Sequence, residues 1–275
     1  MKKLTATVYT VGNFKGGVGK TKIVTMLGFD NAVIRKRKTL VLDLDPQANA
    51  SQILARTGNI ERIEKTITDG FQENNLKLCI TPIIENLDLI ACDTGFRAFS
   101  QFVTRIQDEN EQIKVLSKLL APIKEKYDEI FIDVPPTISE FSDNAMAASD
   151  YTIIAFQTAD ESLDGVGKYI GYQNFMVERY NINLQVLDII PCMVDPTDSI
   201  DEGILEEAKE KYGSAVSDNI ITYQKRLRRY TGEGIFLNLT KNGKYDQWDF
   251  LAHTTFIKLL NEFDARKNYY EKINN

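Results

Sequence analysis

The sequence has few of the residues that build metal centres and disulfide frameworks. Its 275 residues include three cysteines and one histidine, His253. Cys79, Cys92 and Cys192 are widely spaced and odd in number, a pattern typical of buried thiols in a reducing compartment. Because no two cysteines have metal-ligand spacing, we expect neither a zinc site nor an iron–sulfur cluster.

Long apolar runs are also missing, and no segment approaches the length that crosses a bilayer. Residues 1–11 carry alternating threonines and no small-residue cleavage site, so we expect no secretory signal. The net charge of −6 argues against a protein that is basic over its whole surface, although it is compatible with a local basic patch. These absences favour a cytoplasmic protein without a membrane partner.

Strand-like and helix-like segments alternate along nearly the whole chain. Predicted strands cover residues 4–11, 40–44, 87–92, 129–133, 151–156, 184–190 and 214–221. Predicted helices follow residue 21 and cover residues 110–126, 166–180, 198–212 (ended by Gly213) and 247–265, the last one burying Trp248, Leu251, Leu259 and Phe263. The alternation predicts one α/β domain over residues 1–275, a doubly wound, mostly parallel sheet with helices on both faces. The sequence pattern indicates no role for residues 55–110.

A glycine-rich loop joins the first predicted strand to the first helix. Its sequence over residues 13–21 is Asn-Phe-Lys-Gly-Gly-Val-Gly-Lys-Thr. Gly16, Gly17 and Gly19 let the backbone wrap closely around an anion, and the following helix end favours phosphate oxygens. Lys20 would place its ammonium beside the terminal phosphates, and the Thr21 hydroxyl would bind Mg²⁺. The loop therefore predicts a nucleotide site.

Carboxylates follow two of the predicted strands. Asp43 and Asp45 end the strand at residues 40–44, and Asp133 ends the strand at residues 129–133. In a parallel sheet these strand ends lie together, so the carboxylates can meet at one site. A magnesium triphosphate needs one acid to hold the water shell of the metal and another to orient the attacking water. The alternative is that they are turn residues, since aspartate suits turns.

Three motifs carry a resemblance to a known family. They are residues 15–21, residues 41–49 (Val-Leu-Asp-Leu-Asp-Pro-Gln-Ala-Asn) and residues 130–136 (Ile-Phe-Ile-Asp-Val-Pro-Pro). Together they resemble the ParA/MinD family of deviant Walker A P-loop ATPases, and the second motif most resembles the ParA-type DNA-partition branch. Phe14 stands where the first glycine of the loop is usual, and Lys22 replaces the common threonine or serine.

The resemblance implies a role for each matching residue. Lys15 would reach the nucleotide of a partner subunit, so that two subunits enclose two ATP molecules, and Asp45 would position the hydrolytic water. Asp133 corresponds to the Walker B aspartate, and residues 191–195 occupy the place of the adenine pocket. The expected catalytic residues are Lys15, Lys20 and Asp45; the ATP contacts are Lys15, Gly16, Gly17, Val18, Gly19, Lys20, Thr21, Lys22, Met193 and Asp195; and the Mg²⁺ site is Thr21, Asp43 and Asp133.

Two short basic runs stand out in this acidic chain. Lys225, Arg226, Arg228 and Arg229 cluster between two tyrosines, which favours contact with a polyanion, although the run could be a solvated helix face. The resemblance favours DNA, because ParA relatives bind nonspecific DNA through basic residues in this part of the chain. Residues 35–38 close the helix after the phosphate loop, where cations complement the helix end, so we expect a structural role there.

We therefore predict an ATPase that dimerises with ATP, binds DNA nonspecifically and segregates a plasmid or a chromosomal origin region. The expected partners are a second copy of the chain, DNA and a centromere-binding (ParB-like) protein, and the expected location is the cytoplasm, on the nucleoid. Two alternatives remain open. One is an ATP-gated DNA-binding regulator or co-repressor with incidental hydrolysis, and the other is a MinD-like positioning ATPase.

Overall fold

A computed structural model describes residues 5–158, 162–239 and 242–274. Eight strands of this part of the chain form one sheet. The strands are β1 (Thr7–Gly12), β2 (Thr39–Asp43), β3 (Ile80–Ile84), β4 (Leu87–Ile90), β5 (Glu129–Asp133), β6 (Tyr151–Gln157), β7 (Gln185–Val194) and β8 (Ile221–Thr222). The predicted first strand began at Leu4, which lies outside the described residues.

Helices connect most of these strands. They are α1 (Lys20–Val33), α2 (Asn49–Thr57), α3 (Ile67–Gln72), α4 (Ala98–Val103), α5 (Glu109–Gln112), α6 (Val115–Lys124), α7 (Glu140–Ala148), α8 (Ser162–Tyr180), α9 (Ser199–Tyr212), α10 (Lys225–Glu233) and α11 (Gln247–Asn274). Short 3₁₀ turns occupy Leu76–Cys79, Thr94–Arg97 and Gly213–Ala215. None of the helices in the described ranges combines the length and the apolar character that a bilayer crossing requires.

The strand order is β3-β4-β2-β5-β1-β6-β7-β8, and every neighbouring pair is parallel except β3 with β4. Strand β5 therefore lies between β1 and β2. Its last residue, Asp133, is in register with Asp43 of β2 and Val11 of β1. Because these strands are parallel neighbours, the loops that follow β1, β2 and β5 lie together at their carboxyl ends. The predicted mostly parallel α/β sheet is confirmed.

Alternate residues of β1, in the middle of the sheet, face two different cores. Tyr9 and Val11 belong to a core that also holds residues of α1 and α11, such as Met26 and Phe263. Val8 faces the opposite core with residues of α6 and α7. A period of two in buried positions is what a parallel strand covered on both faces requires. The prediction of helices on both faces is therefore confirmed.

The edges of the sheet differ from the prediction. Pro82 lies in β3, which pairs antiparallel with β4 at one edge, where a missing N–H is tolerated. At the other edge, the strand predicted for residues 214–221 is wrong, because only Ile221–Thr222 are strand. Ser217 instead forms a turn with Asn219, and both side chains bond to Glu262 of α11 at 2.8 and 2.7 Å. The N–H of Ser217 still donates to the carbonyl oxygen of Ile189 in β7 at 2.9 Å, and the turn then interrupts the pairing until Ile221.

The first turns of α11 also depart from the prediction. Leu259 and Phe263 are buried as expected, but Trp248 and Leu251 are 62% and 48% exposed. Apolar burial on α11 begins at Ala252, where the helix comes to lie against the main core. Its first turn therefore extends past that core, and the amphipathic pattern of the sequence could not indicate where the covering helix stops.

An ion pair lies between α1 and α11. The imidazole Nδ1 of His253 contacts Asp30 Oδ1, and Nε2 lies 3.0 Å from the carbonyl oxygen of Phe236. Both side chains are almost fully buried. Burial lowers the pKa of His253, but the hydrogen bond and the charge of Asp30 outweigh it, so the pKa is raised and the acceptors at both ring nitrogens favour the imidazolium. The pair therefore links the two helices.

We expect Asp30→Asn and His253→Gln each to lower the free energy of unfolding. The double variant should lose less than the sum of the two, because each single variant leaves one buried partner unpaired. Urea unfolding of the four proteins should give a coupling free energy of at least about 1 kcal/mol. Additive losses would show that the two groups do not interact.

Candidate functional site

The glycine-rich loop curls around the start of α1. Gly17 and Gly19 have φ of 80° and 97°, in the left-handed region where a side chain is strained. Gly19 directly precedes Lys20, the first residue of α1. The backbone N–H groups at this helix start have no earlier carbonyls to bond, which is the arrangement that accepts phosphate oxygens.

Phe14 anchors the entrance of this loop. Its ring packs 4.9 Å from the ring of Tyr169 and 5.6 Å from that of Tyr172, both on α8. The neighbouring Asn13 donates from its side-chain amide to the carbonyl oxygen of Ala155 at 2.7 Å. The residue that replaces the usual glycine therefore attaches the loop to α8 by aromatic packing.

The Lys20 side chain lies inside the loop. Its ammonium donates to the carbonyl oxygens of Asn13 and Lys15 at 3.0 and 3.2 Å. Burial lowers the pKa of Lys20, while the charges of Asp133 and Asp45 act in the opposite direction. This ammonium is positioned to exchange loop carbonyls for phosphate oxygens.

Asp43 and Asp133 lie side by side but have different surroundings. Asp43 accepts from the backbone N–H of Asp45 at 3.0 Å and from the N–H and hydroxyl of Ser51 at 2.8 and 2.7 Å. Neither carboxylate oxygen of Asp133 has a hydrogen bond from the described residues. Burial raises the pKa of both, and for Asp133 the charge of Asp43 adds to the effect. Asp133 is therefore the carboxylate with free acceptor capacity.

The loop and Asp45 line one open cavity of about 660 Å³, while Asp43 and Asp133 are buried and are not among its lining residues. Asp45 lies half-buried at this cavity and accepts from the backbone N–H of Gln47 at 2.9 Å. The wall also includes Arg97 and Thr231, which the sequence prediction missed. Arg97 belongs to the segment with no assigned role, and no local motif marks it. Only the fold brings it to the cavity.

An apolar cavity of about 220 Å³ lies next to Gly19 and Ile23. Met193 lines it, with a φ of 58° that is unusual for a residue with a side chain. Asp195 is not among the lining residues. Its carboxylate accepts from the N–H and hydroxyl of Thr197 at 2.9 and 2.7 Å, and these bonds lower its pKa. Met193 and Asp195 were the two predicted contacts of the adenine pocket, and the structure brings only Met193 to this cavity.

The Lys22 side chain points toward α10. Its ammonium contacts the carbonyl oxygen of Leu227 and the hydroxyl of Thr231. Arg56, on α2, donates to the carbonyl oxygen of the same Thr231 at 2.8 Å. The helix after the phosphate loop and the helix after the Asp45 loop therefore both hold α10. No local sequence signal indicates this attachment.

The basic residues of α10 fall into two groups. Lys225, Arg228 and Arg229 are exposed. The side chain of Arg226 is only 12% exposed, and its guanidinium lies 2.6 Å from Asp246 and 3.1 Å from Asp249. Arg226 differs from its predicted role because it faces the start of α11, where two carboxylates already bind it. Three cations, rather than four, face the solvent.

Two residues of the other basic run, Arg35 and Arg37, have a structural role, although through ion pairs and not through the helix end that we expected. Arg35 binds Asp264 of α11, and Arg37 binds Asp264 and the buried Glu129 at 3.1 and 3.0 Å. These ion pairs attach the end of α1 to α11 and to the start of β5. Arg35 and Arg37 therefore bind carboxylates on α11 and β5.

We expect the largely buried Arg226 and the exposed Arg228 of α10 to contribute differently to the free energy of unfolding. Arg226→Ala should lower the free energy of unfolding by about 3 kcal/mol, because it leaves the buried Asp249 without its cation. Arg228→Ala is the matched control and should change it by less than about 0.5 kcal/mol, since its side chain is exposed. Urea unfolding without nucleotide measures both. Equal effects would show that the Arg226 ion pairs do not support the fold.

Comparison with known proteins agrees with this geometry. The sequence matches the AAA_31 family, described as AAA domain, over residues 6–186. It is 28% identical to the sporulation initiation inhibitor protein Soj of Bacillus subtilis over 232 residues, covering 82% of this chain and 88% of that one. It is 30% identical to an uncharacterised protein of Methanocaldococcus jannaschii over 239 residues, covering 83% and 90%.

Solved structures share the fold. A plasmid partition protein of Borrelia burgdorferi bound to AMPPNP has a TM-score of 0.73 at 21% identity, covering 94% of this chain and 99% of that one. A McdA variant of Cyanothece in complex with ATP has a TM-score of 0.77 at 18% identity, covering 96% of each chain. The match over residues 6–186, together with the loop and strand-end acids, shows that this chain belongs to the AAA_31 family, as a ParA/MinD-type P-loop ATPase.

Proposed function

We propose that this protein is an ATP-dependent dimerising ATPase that binds DNA nonspecifically and segregates a plasmid or a chromosomal origin region with a centromere-binding (ParB-like) partner. The observation that carries the proposal is the attachment of the basic helix α10 to the phosphate loop through Lys22. A nucleotide site and a row of exposed cations are thereby joined in one structure. The proposed location is the cytoplasm, on the nucleoid.

The site fits a magnesium nucleotide. Gly17 and Gly19 leave the loop open to an anion, and the unpaired oxygens of Asp133 can accept from the water shell of a hard cation. Thr21, Asp133 and, through its remaining lone pairs, Asp43 would hold Mg²⁺. When bound, Mg²⁺ neutralises charge that develops on the phosphate oxygens. The apolar cavity at Met193 suits the flat face of adenine.

The chain supplies the remaining chemistry with its own side chains. The Lys20 ammonium neutralises phosphate charge, and the half-buried Asp45 carboxylate orients the attacking water at the cavity. Asp43 acts on Asp45 indirectly, since it accepts the backbone N–H of that residue and thereby sets the shape of its loop. Lys15 would add a cation to the nucleotide of a second subunit, which ties dimerisation to ATP.

DNA contact is assigned to Lys225, Arg228 and Arg229, the exposed cations of α10. Each phosphate contact releases counterions, so binding should weaken steeply with salt. Base-specific contact is not needed for a protein that travels over a whole nucleoid. A regulator with incidental hydrolysis would share this surface, but its ATP turnover would not respond to DNA together with a partner. ATP turnover that is slow for the protein alone and is stimulated by DNA together with the partner protein supports a partition role.

Three substitutions separate binding, dimerisation and hydrolysis. Lys20→Ala should abolish ATP binding, because the buried ammonium that faces the phosphates is lost. Lys15→Ala should retain ATP binding by the monomer and lose ATP-dependent dimers in sedimentation. Asp45→Ala should keep both and stop phosphate release, since the attacking water is no longer oriented.

Lys38→Ala is the control for these substitutions, because it removes an exposed lysine just before β2, at the opposite end of that strand from Asp43, and should change none of the three measurements. Normal turnover in Asp45→Ala would contradict the hydrolytic role. An unchanged dimer in Lys15→Ala would contradict the contact across the interface.

Arg229→Gln should weaken binding to any duplex and reduce the salt slope of a dimer by about 1.8, at 0.9 for the contact in each subunit. Arg179→Gln is a matched control, because both guanidinium groups pair with a glutamate and are similarly exposed, at 55% and 56%. Fluorescence anisotropy of labelled duplexes of different sequence, with ATP, measures both. A slope that stays the same in Arg229→Gln would remove α10 from the DNA interface.

A further inference from the structure

A groove of about 630 Å³ runs between α10 and the start of α11. We call it the aromatic groove, and its side chains include Tyr223, Lys225, Arg226, Arg229, Trp248 and Leu251. It borders the cations assigned to DNA, but most of its lining has no part in the nucleotide cavity. The combination of aromatic and cationic side chains is its distinguishing feature.

The aromatic rings of this groove are exposed, and hydrogen bonds hold the backbone that carries them. Trp248 is the sole tryptophan of the chain and is 62% exposed, while Tyr223 is 59% exposed. The backbone N–H of Trp248 donates to Asp246 at 2.9 Å, and that of Tyr223 donates to the carbonyl oxygen of Val194 at 3.2 Å. Leaving such large apolar rings in water forgoes the free energy of burying them. Their exposure in one groove leaves them available to a ligand with a flat face.

The charge of the groove is arranged along one side. Arg226 lies at its base, where it is paired with both Asp246 and Asp249 and is not available to a ligand. Lys225 and Arg229 are exposed at the rim. Arg229 lies 5.8 Å from the ring centroid of Phe236 and pairs with the exposed Glu233, so its side chain is oriented while its guanidinium stays accessible. The rim thus favours an anion, and the aromatic rings favour a planar apolar group beside it.

We propose that the aromatic groove binds single-stranded nucleic acid, with an unpaired base against Trp248 and its phosphates at Lys225 and Arg229. A flexible strand offers an exposed π-face and a phosphate at each nucleotide. Bases of an intact duplex are already stacked on one another, so a duplex can use the cations but not the rings. The inference rests on the proposed DNA contact of α10 and extends it from duplex phosphates to unpaired bases.

The single tryptophan provides a direct measurement. With ATP present, an oligothymidylate should quench tryptophan fluorescence when a base stacks on Trp248. An abasic oligonucleotide of the same length carries the same phosphates without bases, and it should bind more weakly and leave the fluorescence unchanged. Equal quenching by the abasic strand, or by polyglutamate, would mean that the groove recognises charge alone and would overturn the proposal.

Substitutions test the same point by anisotropy of labelled strands. Trp248→Ala should weaken oligothymidylate binding about tenfold, the usual effect of one stacking ring, and leave duplex and abasic-strand binding unchanged. Trp248→Phe should restore most of the affinity. Phe250→Ala is the matched control, because this ring is 58% exposed on the same helix but does not line the groove.

The outcomes distinguish this inference from the proposed function. If Trp248→Ala binds oligothymidylate like the unaltered protein while the duplex still binds, the stacking role is wrong and the DNA-binding role stands. If neither duplex nor single strand binds the unaltered protein with ATP, both proposals fail.

Discussion

Two neighbouring carboxylates at the end of the central strands set the main electrostatic constraint on this protein. Asp43 and Asp133 are in register on β2 and β5, and both are fully buried. Burying two like charges is unfavourable unless cations or hydrogen bonds compensate them. Ser51 and the backbone compensate Asp43, whereas Asp133 has only the Thr21 hydroxyl and the charge of Lys20 nearby. A Mg²⁺ ion bound together with the nucleotide would supply the missing positive charge, which gives the site a physical reason to favour a metal–nucleotide complex.

The second constraint is the attachment of α10. Lys22 of α1 and Arg56 of α2 both bond to this helix, and the N–H of Ile235 donates to Thr57 at 2.8 Å. Gly234 permits a close approach there, since a side chain would lie within 2.6 Å of the backbone of Thr57. The helices that follow the two nucleotide loops are therefore joined by direct side-chain contacts to the helix that carries the exposed cations.

Much of the fold was predictable. The errors share one physical cause, which is that contacts with residues distant in sequence decide the local structure or burial. Strand β5 begins and ends where the sequence predicted, because its apolar run is buried on both sides and ends at prolines. The strand predicted at residues 214–221 was wrong because Glu262, distant in sequence, fixes a turn there. Trp248 was assigned to the core because helical periodicity indicates which face is apolar but not whether a neighbour covers it.

The sequence by itself determined the phosphate loop and the acids that accompany it. Gly17, Gly19 and Lys20 act through local backbone conformation and sequence spacing, so a short segment contains the whole signal. Only the tertiary structure decided which cations remain available. Arg226 and Arg228 are equivalent in the sequence, yet one is bound by carboxylates of α11 and the other is exposed. Ion pairing and burial depend on what the fold places opposite a side chain, and that information is not local.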